Sequence, residues 1–131
     1  MELDKNTDLF RTIKLLGKKI DNQIELKDVQ KQISVLIAKE GRSCDEEFEL
    51  SQLRLRSKLI SRDVEKARAI LAQVKELYGS EAKEIVVMAT VEKLNPNYIS
   101  MKEMIDVETL KKWVEKWLMV ASEKVEKDYG N

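Results

Sequence analysis

From Asp45 to Tyr78 the chain repeats apolar or small residues at intervals of three and four: Leu50, Leu53, Ser57, Ile60, Val64, Ala67, Leu71, Val74 and Tyr78. That rhythm marks one face of a helix, and only Ser57 lapses from it. Unbroken, the stretch would span roughly 51 Å. A second apolar set, Phe48, Leu55, Leu59, Ile70 and Leu77, falls about 120° or more round the same helix. Two greasy stripes imply neighbours on two sides, so we read 45–78 as a central post. Ser61-Arg62-Asp63 offers an alternative break, with Ser61 capping a restart at Val64, but one continuous helix is the simpler reading.

Before the post, Thr7 with Asp8 reads as an N-cap for a stripe of Leu9, Ile13, Leu16 and Ile20. The phase then breaks near Asp21-Asn22, where Asn22 and Glu25 match a capping box. Leu26, Val29, Ile33, Leu36 and Ile37 follow on the other face, up to Gly41 as a left-handed C-cap. Gly17, a poor helix former, marks a close helix crossing. Ser43 with Glu46 forms a further capping box at the start of the post.

After Gly79, Ser80 caps a segment to Leu94. EIVVMATV resembles a buried strand in isolation. Ala82, Ile85, Met88, Ala89 and Val91 fit a broad helical face, however, and no partner strand is visible, so helix is preferred. Asn95-Pro96-Asn97 is a strong breaker. A short helical piece begins at Ser100, boxed with Glu103, and Asp106 or a nearby residue starts a last helix through Val107, Leu110, Val114, Trp117 and Ala121. The ends, about 1–6 and 129–131, read as frayed. The fold expected is all-α: one domain of five to six helices around the 45–78 post. The first two helices pair as a hairpin on one side, and the 80–94 and final helices pack on the other.

Composition narrows the function. The chain has 131 residues, 24 basic and 24 acidic, with no His, one Cys and one Pro. Zero net charge argues against a polyanion-coating protein. The charged fraction of 37%, rich in Lys and Glu, leans toward a thermophile. No 18-residue apolar window exists, so no membrane span is expected. MELDKNTDLF carries acids where a signal peptide needs a basic then apolar run, and Cys44 has no internal disulfide partner. An intracellular setting is expected, or a virion if the protein is viral.

Without His, no Ser-His-acid or Cys-His catalytic set and no His-containing metal site can be built. Glu46, Glu47 and Glu49 are the densest acids, but acids in a first helical turn are ordinary partners of the helix dipole. No phosphate-cradling glycine loop occurs. Cys44 reads as an unremarkable thiol, and Met88, Met101, Met104 and Met119 as core filler. We expect no catalytic residue, metal, cofactor or small-molecule substrate.

Two candidate surfaces remain. Arg54, Lys58, Arg62 and Lys66 form a stripe on the post, flanked by Arg56 and Arg68; residues 50–68 hold six bases and two acids. Such a ridge can contact successive phosphates, although solvation, with pairing to Asp63, Glu65 and acids on neighbouring helices, is the preferred explanation. Trp113 and Trp117 share a face of the last helix, and would anchor a protein interface if exposed. Ile99 to Leu118 faintly resembles a helix-turn-helix, with Thr109, Lys111 and Lys112 on its second helix, but the gap after Ile105 looks too short and lacks Gly. We expect a non-enzymatic structural or assembly protein, a helical building block that binds itself or another protein. The alternative is a nucleic-acid-binding module using the basic ridge.

Overall fold

In the computed structural model, which describes the backbone of residues 2–129 and the side chains of 8–128, every regular element is helical. The order is α1 (Glu2–Gly17), α2 (Lys19–Ala38), α3 (Cys44–Tyr78), α4 (Ser80–Val86), a π-helical turn (Val87–Val91), α5 (Pro96–Glu103) and α6 (Val107–Tyr129). The chain is an all-α bundle, and its 45–78 stretch is one unbroken helix that starts one residue earlier, at Cys44.

Several boundaries differ from the expected ones, each for a local reason. α1 extends back to Glu2, since nothing among residues 2–7 breaks a helix, so Thr7 is not its cap. The first interruption falls at Gly17–Lys18, where the weakest helix former sits, and Asn22 lies inside α2. α2 ends at Ala38 rather than at Gly41. Gly41 still takes the left-handed conformation, with φ 66°. The missing end is supplied by Arg42, whose Nη1 donates to the carbonyls of Leu36 (3.1 Å), Ile37 (3.3 Å) and Lys39 (3.4 Å). Gly79, with φ 100°, precedes α4, and Ser80 is the first helical residue rather than a side-chain cap.

The strand-like run is helical. Its second half widens into a π-turn, where Glu92 N donates to Val87 O at 2.9 Å. Thr90 Oγ1 donates to Val86 O at 2.7 Å, taking up part of the carbonyl that an α-turn would use. The next helix begins at Pro96, not Ser100. Asn95 caps it by accepting from Asn97 N at 2.8 Å, and Pro96 occupies the first helical position, where its missing N–H costs nothing. Ser100 instead donates to Ile105 O. The last helix starts at Val107, next to the expected Asp106, which caps it by accepting from Thr109 N at 3.3 Å.

The described residues divide into two compact units. The first comprises α1, α3 from Lys66 onward and all that follows. Its core is Leu16, Ile70, Val74, Val86, Ile99, Leu118 and Val125, surrounded by smaller side chains such as Ala67 and Ala121. α1 packs on α6 and on the π-turn. A Cβ at Gly17 would come within 3.2 Å of Lys93 Cε, so the close approach is to this turn.

The second unit, Lys19–Glu65, is a helical hairpin of α2 with the first part of α3. The hairpin the chain makes is therefore α2–α3, not α1–α2. Its core is Val29, Ile60 and Val64, with Leu26, Ile33 and Leu53 packed on it. The first stripe of the post is its buried seam in both units. The second stripe is not buried as expected: Ile70 is, but Phe48, Leu55, Leu59 and Leu77 are exposed.

Candidate interaction surfaces

In Lys19–Glu65 the acids at the start of α3 are occupied by the helix end itself. Ser43 N donates to Glu46 Oε1 at 3.0 Å, and Glu46 N donates to Ser43 Oγ at 3.1 Å. Lys39 also pairs with Glu46, and the Lys39 hydrogen bond is the main cause that lowers the carboxyl from 4.5 to about 2, followed by the Ser43 amide. Glu47 accepts from Arg42 Nε at 2.7 Å. Among the described residues no cluster of His, Cys, Asp or Glu is placed to hold a metal ion. Cys44 is exposed and opens α3 rather than lying in the loop.

The basic stripe is divided between the units. In the hairpin, Arg54, Arg56, Lys58 and Arg62 are all exposed, and Arg56 is paired with Glu25. Glu25, expected in a capping box, serves this ion pair instead. Among the described residues Arg54, Lys58 and Arg62 make no ion pair within 4.0 Å. In the other unit Lys66 is half-buried and paired with Glu126, while Arg68 is exposed. Spacing of four turns the stripe by about 40° per step, so it winds round the helix instead of forming a straight ridge.

Opposite the buried seam of the hairpin lies an apolar face that the sequence reading assigns to a neighbour. Phe48 is 66% exposed, Leu55 53% and Leu59 52%. Spacings of seven and four keep the three within about 40° of one another on α3. The outer face of α2 adds exposed Ile20, Ile24 and Val35. The periodic signal for these residues is present in the sequence. It shows that they share a face but not whether the chain covers it.

In the other unit, the rings of Trp113 and Trp117 lie 5.8 Å apart, and Trp117 is also 5.8 Å from Tyr78. Trp117 is thus the middle of an aromatic row anchored on α3, and Trp113 is its outer end, 42% exposed. Met88 is core, but Met101 and Met104, expected as core filler, are 81% and 92% exposed beside exposed Tyr98. They sit on α5 and its left-handed end, where the short helix has only one buried side, around Ile99. The turn between α5 and α6, Met104 to Asp106, has three residues, longer than the sequence suggests, because α5 stops before Ile105. Exposed Lys111 and Lys112 on α6 are flanked by Glu108 and Glu115, so that helix presents no basic face.

A cleft of about 470 Å³ lies between α1, α6 and Lys66. Its hydroxyls are satisfied within their own helices: Thr12 donates to Asp8 O at 2.9 Å and Ser122 to Met119 O at 3.2 Å. No helix among the described residues is long and apolar enough to cross a membrane. The chain matches no protein-family profile, no curated protein and no solved structure.

Proposed function

We propose that this chain is a non-enzymatic assembly protein, a helical building block of a larger complex, virions of thermophiles included. The observation that carries this reading is the in-register exposure of Phe48, Leu55 and Leu59 on α3. Large apolar side chains aligned on one solvent-facing stripe are the mark of a surface that is covered in use. The outer Trp113 supplies a second, separate anchor of the residue type favoured in interfaces. Association stabilises the folded chain by mass action, so the melting temperature should rise with protein concentration. A melting temperature independent of concentration, together with partner binding unaffected by Trp113→Ala, would remove the support for this function.

The exposure of Arg54, Lys58 and Arg62, without an ion pair among the described residues, favours a second reading, a nucleic-acid-binding module. Of the six bases in the stripe and on its flanks, Arg56 and Lys66 are already paired with Glu25 and Glu126. The reading requires retention on nucleic acid that weakens steeply with salt and is lost in Arg54→Glu with Arg62→Glu.

A further inference from the structure

We propose that the cleft where α4, the π-turn and α5 meet the end of α3 binds a small phosphomonoester carrying a compact aromatic or apolar group. This site is independent of the assembly function and lies wholly in the first unit. The cleft has a volume of about 620 Å³, within the range of small-molecule sites. Its floor is apolar, formed by Val87, Met88 and Leu94. The π-turn sets that floor: Glu92 N donates to Val87 O and Leu94 N donates to Met88 O, both at 2.9 Å. Lys93, between them, takes the left-handed conformation with φ 55°. A π-turn followed at once by a left-handed residue other than glycine is costly backbone, of the kind kept where it places side chains for use.

Three lysines from three helices line the cleft: Lys75 of α3, Lys83 of α4 and Lys102 of α5. None makes an ion pair within 4.0 Å among the described residues. The Lys102 ammonium instead lies 3.9 Å from Met88 Sδ, and a thioether is a poor acceptor for it. A cation held against the floor with no carboxylate beside it is an arrangement that an anion completes. Glu84 and Glu92 also line the cleft; both are exposed and neither is paired with a lysine among the described residues, so they weaken the field without occupying the ammonium groups. The lining carries no Arg. Without a planar guanidinium fork, it favours a tetrahedral phosphate, which ammonium point charges approach from several sides, over a carboxylate gripped side-on. Exposed Tyr98, one helical turn before Lys102, offers the ligand's apolar group a ring to pack on.

Titration of the full-length, methionine-methyl-labelled protein with phenyl phosphate, followed by NMR, tests the site. The Met88 methyl resonance should shift and saturate with a dissociation constant of roughly millimolar or tighter. The Met119 methyl, which does not line the cleft, should stay in place. Inorganic phosphate, which lacks the ring, and benzoate, which lacks the phosphate, should each bind about tenfold or more weaker.

Lys83→Gln with Lys102→Gln should raise the dissociation constant for phenyl phosphate about tenfold or more, with helicity unchanged. Lys111→Gln with Lys112→Gln removes the same charge from exposed positions of α6, and at moderate salt should change it by less than about twofold. Glu84→Gln with Glu92→Gln, which relieves the opposing field, should tighten binding about threefold or more. No saturable Met88 shift at up to about 50 mM phenyl phosphate, equal weakening by the two lysine pairs, or weaker binding in the glutamate pair would overturn the site. Benzoate bound as tightly as phenyl phosphate would overturn the phosphate head, and inorganic phosphate bound as tightly would overturn the apolar group.

Discussion

Ser43 and Glu46 hold each other's backbone amides at the start of α3, each side chain accepting from the other residue's N–H, at 3.1 and 3.0 Å. With the Lys39 contact, this lowers Glu46 from 4.5 to about 2. A carboxyl with a depressed folded pKa binds protons more readily in the unfolded chain. Its contribution is therefore complete above the ordinary value and is lost as pH falls toward the folded one. Unfolding by denaturant should show a loss of stability between pH 4.5 and about 2 that is smaller in Glu46→Gln. Ser43→Ala should cost about 1 kcal/mol at neutral pH.

Ile70 and Leu59 belong to the same expected stripe on α3 but differ in burial, Ile70 being fully buried and Leu59 half exposed. Ile70→Ala should cost about 2–5 kcal/mol, as a cavity in a packed core does. Leu59→Ala should change the stability of the isolated chain by less than about 0.5 kcal/mol. Dilute-solution denaturation of both variants checks the pair, and equal costs would mean that the outer face is covered within the chain.

Asn95 caps α5 through Asn97 N. Asn95→Ala should cost about 1 kcal/mol, while Asn95→Ser should retain most of the stability because a serine hydroxyl can accept the same bond. Thermal melts of the two variants separate loss of the cap from a general effect of substitution at the turn.

Trp113 is the exposed end of the row Tyr78–Trp117–Trp113. Trp113→Ala should cost only about 0.5–1.5 kcal/mol for the lost ring pair, with some further loss of packing area. Trp117→Ala, which removes the middle ring, should cost more. Measured by denaturant unfolding, the reverse order would mean that Trp113 is better packed than its exposure indicates.

The seam of α3 is legible in the sequence because a period of three and four has few physical alternatives. Leu50, Ile60, Val64, Ala67, Leu71 and Val74 are all buried. The Ser43–Glu46 box is legible because it needs only residues three apart. The π-turn is not: it depends on Thr90 donating to Val86 O, a competition between hydrogen bonds that no periodicity encodes. The pairing of α2 with α3 instead of α1, and the exposure of Phe48, Leu55 and Leu59, depend on which faces meet. Periodicity shows that a face exists. It cannot name the neighbour.

Assembly is tested most directly by sedimentation equilibrium of the full-length protein, from low micromolar to near-millimolar concentration, at moderate salt. The weight-average mass should climb from that of one chain toward at least twice that value. Leu55→Glu with Leu59→Glu should hold it near a single chain over the same range. A single-chain mass at every concentration for the unaltered protein would contradict self-assembly through the outer face of α3.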